Sequence, residues 1–383
     1  MIQKKRFFLN FIAGLLVLIL LTVIISFLKL DIKFEEFFFD SETQNWSQRD
    51  FTAWDWAYHY GPYPAIILSI FSLVLLILSI FIPKCVSIHR YCYFIILSLA
   101  LGPGLLVNGI FKDRWGRPRP RQVEQFGGIW EFREAWEPGI PGRGKSFPSG
   151  HSSMGFFLIV IYFIYKRKNR FIAHSGLLAS VAMGFYIGTA RMAQGGHFLS
   201  DVLWAGGMTY GAAAILAYYL LKIPDRTISI KKQRTKKPLL KWSLVISIIG
   251  LIIYIFLFSK PVYEEYFHEL NPLGEETPIH FVLQMDKGHA TFFPGRFESP
   301  IEIKTILHGY GWPNHHLKSQ LLTNGNNDTL QAIYDLDIQG IFQKMKVETG
   351  VYFDSSYAIT VSKANNKGAF KLKGSMPTTL FFK

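Results

Sequence analysis

The sequence predicts an all-α polytopic membrane protein, a six-helix core with a seventh span, carrying a small β-rich C-terminal domain outside the membrane. Three observations carry this. Half of the 383 residues are hydrophobic and the mean hydropathy is positive. That hydrophobicity is gathered into seven runs, most of them near the ~20 residues that span a bilayer as a helix. After residue 259 the runs stop, and alternating or β-branched stretches with turn residues take their place. The chain therefore divides into 1–258, a membrane domain of about seven helices, and 259–383, a soluble domain whose role its residues do not choose.

Lys4, Lys5 and Arg6 precede the first apolar run, 7–28. It is too long for a cleaved signal peptide and no small-residue cleavage site comes after it, so it reads as a signal anchor. Residues 31–62 form an acidic loop that ends in the rings of Trp54, Trp56, Tyr58, Tyr60 and Tyr63. Such rings prefer the headgroup level. The second run covers about 64–82, and the third, about 93–111, ends directly on Lys112. Residues 112–150 form a long loop rich in Arg, Gly, Pro and Trp. The fourth run, about 152–165, is closed by basic residues 166–170; the fifth covers about 171–189 and the sixth about 198–221. A strongly basic stretch leads to the seventh, 242–258. In the last segment, strands are expected at 279–283, 301–306, 330–336, 350–361 and 368–372, with turns at Asn324-Gly325 and at 365–368.

The net charge of +14 would suit nucleic acid or anionic lipid. Here it is better explained by Lys and Arg kept in cytoplasmic loops, so no nucleic-acid partner is expected. With the N-terminus inside, the basic loops at 83–92, 166–170 and 222–241 all fall in the cytoplasm. The acidic loop 31–62 then lies outside, together with 112–150 and the start of the sixth run. This expects a cytoplasmic (inner) membrane protein, multi-pass, with the C-terminal domain on the extracytoplasmic side. Cys85 and Cys92 form no CxxC pair or Cys/His cluster, so they read as free thiols rather than a disulfide or a zinc site.

Three segments at span ends hold the chemistry: Lys112-x6-Arg119-Pro120, then Pro148-Ser149-Gly150-His151, then Arg191-x5-His197-x3-Asp201. His197 and Asp201 are four apart and share a helix face. A carboxylate beneath an imidazole fixes its tautomer and stabilises the charge it gains, which suits His197 to attack phosphorus. The pair is also what a helix-capping Asp beside an interfacial His would look like. His151 has the side-chain chemistry to protonate a leaving alcohol. Ser149 can donate its hydroxyl, and Gly150 lets backbone N–H groups approach an anion, although Pro-Ser is equally a helix start. Lys112, Arg119 and Arg191 are cations at span ends, which phosphoryl transfer needs to offset charge, or which simply snorkel. Arg114, Arg117 and Arg121 lie nearby and receive no role. His308 and the pair His315-His316 lack carboxylate or thiolate partners for a metal.

The three segments, in this order and on one expected face, resemble the type 2 phosphatidic acid phosphatase superfamily, bacterial membrane lipid phosphatase branch, over about 60–222. The resemblance implies that His197 is the nucleophile, Asp201 its partner and His151 the general acid. It implies that Lys112, Arg119, Ser149, Gly150 and Arg191 hold the phosphate, and that the reaction on a lipid phosphate uses no metal or other cofactor. One departure is that Ala190 stands where the third motif usually carries Ser.

The function expected is hydrolysis of a phosphomonoester or terminal diphosphate of a membrane lipid through a phosphohistidine. Undecaprenyl diphosphate, phosphatidylglycerol phosphate, phosphatidic acid and lipid A are the candidate substrates. A lipid phosphotransferase, a non-catalytic lipid-binding or transport protein with a degenerate site, and a vanadate haloperoxidase are the alternatives; the apolar runs argue against the last. The expected partners are the bilayer and its lipid phosphate, with an envelope component open to the C-terminal domain.

Overall fold

A computed structural model describes residues 2–78, 82, 88–223, 250, 260–271, 278–285, 289–311, 316–326, 329–340, 342–363, 369–372 and 380–382. The chain forms two compact units, Met1–Phe256 and Leu257–Lys383. Nearly all of the seventh apolar run, Cys85, His315 and the expected turn at 365–368 lie outside the described residues.

In the first unit, α1 (Ile2–Phe27) holds the first run. It turns by 63° into α2 (Leu30–Glu36). Lys29 makes the turn in the left-handed region, at φ 52°. The expected loop 31–62 is thus partly ordered, and α2 leads into a small hairpin of β1 (Phe39–Asp40) and β2 (Asn45–Trp46). Then α3 (Thr52–Tyr60) leads into α4 (Tyr63–Leu78), a continuous helical stretch that begins about three turns before the second apolar run. Ile67, Ile70 and Phe71 on α4 are each more than half exposed. Such a side chain is costly in water and ordinary against lipid.

The third run is α5 (His89–Leu99), continued to Lys112 by a π-helical segment, Ala100–Lys112, that contains Pro103. Proline has no N–H to give the preceding turn, and π turns inside helices are frequent at functional sites. Asn108 Nδ2 donates to the Pro103 carbonyl at 2.7 Å. The fourth run is broken into α6 (Gly150–Phe156) and α7 (Ile159–Tyr165), the fifth is α8 (Arg170–Ala193), and the sixth is α9 (Leu199–Ile215) with a further π segment. Phe94, Phe157, Val160, Phe163, Ala213 and Ala217 interlock at the centre of these helices. Among the described residues, Thr52–Leu78, His89–Lys112 and Arg170–Ala193 are long and apolar enough to cross a membrane, and the bent α1–α2 pair qualifies taken together. Cys92 is buried and forms no disulfide among the described residues.

At one end of α8 and α9, Phe38, Trp46, Val123, Phe126, Met192 and Phe198 form a separate cluster. It packs the β1–β2 hairpin and the loop 112–150 against the turn between the two helices. That cluster fixes the position of the candidate site.

The second unit is two five-stranded sheets enclosing one core. The strands are β3 (Lys260–Glu269), β4 (Ile279–Met285), β5 (His289–Gly295), β6 (Ile301–Gly311), β7 (His316–Asn326), β8 (Thr329–Gln339), β9 (Phe342–Asp354), β10 (Ile359–Lys363), β11 (Ala369–Leu372) and β12 (Leu380–Phe382). One sheet runs β12-β10-β4-β8-β7 and the other β11-β5-β9-β6-β3. Alternation along β4 buries Ile279, Phe281, Leu283 and Met285 on one face, as a half-buried strand requires. The expected strand 350–361 is split between β9 and β10 by a turn at Asp354, whose carboxylate accepts from the Ser356 N–H at 2.8 Å. The turn expected at Asn324-Gly325 is corrected: Asn324 pairs with Gln331 and Gly325 with Leu330, inside the β7–β8 ladder.

Candidate active site

Helix α8 delivers Arg191 near its end, and the chain then reverses through Gly195 and Gly196 to His197 and the first turn of α9. Gly195 sits at φ +59°, and a Cβ there would stand 2.5 Å from the Trp46 ring, so the tight turn and the close approach both require glycine. At the start of α9, Asp201 Oδ2 accepts the Phe198 N–H at 2.8 Å. The carboxylate therefore does cap the helix, and it does more. Its Oδ2 also accepts the Ser146 hydroxyl at 2.5 Å, and its Oδ1 accepts Arg117 Nη1 at 2.6 Å.

His197 is buried at 1% exposure, and its Nδ1 lies 2.6 Å from the Ser146 carbonyl. A carbonyl only accepts, so Nδ1 carries the proton and Nε2 keeps its lone pair. Asp201 Oδ2 is 3.8 Å from Nδ1, beyond hydrogen-bond range. The expectation of a carboxylate directly fixing the tautomer is corrected. Ser146 does that with its carbonyl while its hydroxyl engages Asp201, because the loop 112–150 is threaded between the two side chains.

The second segment is drawn onto the same base. The Ser149 N–H donates to the Asp201 carbonyl at 3.1 Å. Ser149 is the N-cap of α6, accepting the Ser152 N–H at 3.4 Å and sharing a hydrogen bond of 2.7 Å with the Ser152 hydroxyl. Capping uses the Ser149 oxygen as an acceptor, so with Ser152 donating, its own proton is left for an anion. Gly150 has no side chain where one would collide: a Cβ would lie 2.4 Å from Asn108 Oδ1 and 2.9 Å from Lys112 Nζ. The Lys112 ammonium therefore reaches the α6 end only past a glycine.

Arg119 is half-buried, its backbone N–H donating to Gln122 Oε1 at 2.9 Å. The Arg121 N–H donates to the Gly195 carbonyl at 3.2 Å, tying this stretch to the α8–α9 turn. Arg191 is 9% exposed and bonds Gln194, while its buried Nε has no partner among the described residues. A buried donor left unmade is expensive, and an anion would satisfy it.

Lys112 and Arg191 lie close enough to act on both imidazoles, and Arg119 acts on His151. Burial, then Arg191, Lys112 and Arg119, pull His151 down to about 4. Burial pulls His197 down to about 3, the neighbouring Asp201 opposing and Lys112 and Arg191 adding to the fall. A lowered pKa on a cationic acid means the neutral form persists above it, so His197 is neutral across roughly pH 5–8. Nitrogen NMR of ¹⁵N-histidine-labelled protein is expected to show it with the proton on Nδ1 throughout that range. An imidazolium signal for His197 at pH 6 would contradict the lowered pKa, and a neutral ring protonated on Nε2 would contradict the hydrogen bond to Ser146.

The sequence profile of the PAP2 superfamily matches residues 90–227. The lipid A 4′-phosphatase of Francisella tularensis subsp. novicida is 35% identical over 187 residues, spanning 48% of this chain and 83% of that protein. The chain belongs to the PAP2 superfamily. Lipid A 4′-phosphatases of Rhizobium leguminosarum and Rhizobium etli are 32% and 34% identical, each over 31% of this chain and over 51% and 46% of their own lengths. The protein is accordingly a membrane phosphoric monoester hydrolase acting on lipids.

This PAP2 phosphatase also has a buried network that spacing alone did not single out. Arg117 has no exposed surface. Its Nη2 bonds Asp31 Oδ2 at 2.8 Å, its Nη1 bonds Ser200 Oγ at 2.8 Å as well as Asp201, and its Nε donates to the Arg133 carbonyl at 2.9 Å. The guanidinium also lies 4.6 Å from the Phe198 ring centroid. Asp31 in turn accepts the Ser200 N–H and hydroxyl at 2.8 and 2.6 Å. Among the arginines of the loop, Arg119 between Pro118 and Pro120 carried the stronger sign of a rigid setting, and nothing local separated Arg117 from its neighbours. Nothing local pointed to Asp31, 86 residues away.

Proposed function

We propose that this phosphatase removes the 4′-phosphate monoester of lipid A by way of a phosphohistidine on His197. The observation that carries the substrate is the relationship to lipid A 4′-phosphatases, one of which is matched over 83% of its length. In the proposed reaction, His197 Nε2 attacks phosphorus in line with the ester oxygen. The N–P bond forms as the P–O bond to the sugar breaks, and His151 gives its proton to the leaving oxygen. His151 then takes a proton from water as that water attacks phosphorus, releasing inorganic phosphate and freeing Nε2.

Each group has a physical reason for its part. Nδ1–H on the Ser146 carbonyl holds Nε2 unprotonated, and Asp201 stabilises the positive charge that the ring gains. Lys112, Arg119 and Arg191 offset the charge on the non-bridging oxygens, with the Ser149 hydroxyl and the backbone at Gly150 beside them. The cations that depress His151 are neutralised when a phosphate dianion binds, which restores its capacity to hold a proton. Proton donation of this kind contributes on the order of 10²–10⁴-fold.

We read the protein as lying in the inner membrane with the site on its extracytoplasmic face, on the strength of the basic loops assigned to the cytoplasm. The test is phosphate release by detergent-purified full-length protein from lipid A, phosphatidic acid, phosphatidylglycerol phosphate and undecaprenyl diphosphate. Lipid A is expected to lose its 4′-phosphate by mass spectrometry, at a rate that EDTA leaves within about twofold, since fixed Lys and Arg do the work a metal would do. A preference for another lipid would overturn the substrate, and loss of activity in EDTA would overturn the metal-free reaction. Release from a membrane-impermeant phosphate ester by intact spheroplasts tests the face; release only after lysis would reverse it.

A further inference from the structure

Tyr58 belongs to the ring cluster that reads from sequence as an interfacial belt, and it precedes the residues matched by the superfamily profile. In the structure it is half-buried against the candidate site. Its ring stacks on His151, centroids 4.7 Å apart and planes at 25°. The Arg191 guanidinium carbon lies 4.8 Å from the Tyr58 ring centroid. One aromatic ring thus contacts two of the groups that the proposed reaction uses.

The ring is firmly held. Helix α3 is fastened to α8, the helix that carries Arg191. The Tyr186 hydroxyl donates to the Ala53 carbonyl at 2.7 Å, and the Trp54 and Tyr186 rings meet at 6.0 Å. At the end of α3, Gly61 lies so close to Ile187 that a Cβ would fall 2.7 Å from its side chain. His59 closes the outer side, edge-on to Tyr58 at 5.0 Å. Tyr58 therefore moves with α8 rather than with solvent.

We propose that Tyr58 is a positioning residue for the phosphatase reaction. Its face holds the His151 imidazole in the orientation from which it protonates the leaving oxygen. Two physical effects support this. Stacking removes rotational freedom from a ring that must deliver a proton along one direction, and misplacement of a reacting group is costly in rate. An aromatic face also attracts cations, so it favours imidazolium over imidazole in a site where three fixed cations oppose protonation. The inference rests on the reading of His151 as the general acid.

The test compares wild type, Tyr58→Ala, Tyr58→Phe and His151→Ala, all full-length in detergent, on two substrates. Lipid A has a poor alkoxide leaving group that needs a proton, whereas p-nitrophenyl phosphate does not. Tyr58→Ala is expected to lower kcat on lipid A by about 10- to 100-fold, part of the general-acid contribution, and on p-nitrophenyl phosphate by less than about threefold. Tyr58→Phe keeps the stacking face and is expected to stay within about threefold of wild type on both. Equal losses on the two substrates, or none on either, would overturn the proposal. So would a Tyr58→Phe as impaired as Tyr58→Ala, since that would make the phenol and not the ring the active part. If His151→Ala itself shows no dependence on the leaving group, the general-acid reading fails and takes this inference with it. If His151→Ala shows it and Tyr58→Ala does not, only the role of Tyr58 fails.

Discussion

Substituting His197 by alanine is expected to abolish phosphate release, by on the order of 10⁴-fold or more, the scale seen when a covalent nucleophile is deleted. The reason is that no other group in the site has both a free lone pair and a fixed direction. Ser149 is committed to the cap of α6 and to Ser152, and His151 is the proposed proton donor. The fold should survive the change. Removing the ring leaves the Ser146 carbonyl without its 2.6 Å donor, a cost of about 1–3 kcal/mol for an unsatisfied buried acceptor. Asp201 keeps its bonds to Arg117, Ser146 and Phe198. The check is a phosphate-release assay beside a quench experiment with ³²P-labelled lipid. Wild type is expected to trap an acid-labile, base-stable phosphoprotein, and the variant none. A variant that releases phosphate at the wild-type rate would eliminate the phosphohistidine route.

The largest stability effect is expected at Arg117. Arg117→Met leaves Asp31 and Asp201 buried with their shared cation gone, both of them nearly without exposed surface. Removing one partner from a buried ion pair typically costs about 3–5 kcal/mol, because the remaining charge is left uncompensated in low dielectric. Here two carboxylates are stranded at once. Arg117→Lys is expected to recover part of this. An ammonium supplies the charge, yet it cannot divide itself among Asp31, Asp201, Ser200 and the Arg133 carbonyl as the planar guanidinium does. Adding Asp31→Asn to Arg117→Met removes one of the stranded charges. The pair should therefore be less damaging than the sum of the two single changes. Thermal unfolding in detergent reads wild type and the four variants, Asp31→Asn alone included. A melting temperature for Arg117→Met equal to that of wild type would show that the network is not structural.

Turnover in the Arg117 series carries separate information. Asp201 acts on His197 across 3.8 Å and through Ser146, so its position depends on what holds its other oxygen. That anchor is Arg117, and behind it Asp31 on α2. The segment before the superfamily match thus contributes to the site at two points, Asp31 from beneath and Tyr58 from the side.

Much of this was readable in the chain. The first six apolar runs all fall in helices, since burying the backbone of an apolar run in lipid leaves a helix as the economical way to satisfy its polar groups. The three segments with Lys112, Arg119, Ser149, Gly150, His151, Arg191, His197 and Asp201 converge, because each begins or ends a helix at the same end of the bundle. Alternation announced β4, β6 and β8 for the same kind of local reason. It missed β3, β5, β7 and β12. β3 is an edge strand whose residues are mostly half-exposed, so its periodicity is weak. The Asn324-Gly325 signal lost to the β7–β8 ladder, where cross-strand pairing continues through it.

Hydropathy and short-range spacing were thus sufficient for the helices of the first six apolar runs and for the β-rich character of the second unit, and they named part of the set of residues that the structure brings together. They could not supply the partners. Asp31 bonds Ser200 across 169 residues, and Tyr58 stacks on His151 although one was an interfacial ring and the other a helix start by local criteria. The hydrogen bond of His197 goes to a loop carbonyl 51 residues away rather than to the carboxylate one helical turn along. Local propensity is a property of consecutive residues. Which side chain fills a particular hydrogen bond in a buried site is settled by how helices and loops pack, where desolvation makes each unpaired group expensive and the nearest partner in space takes the bond.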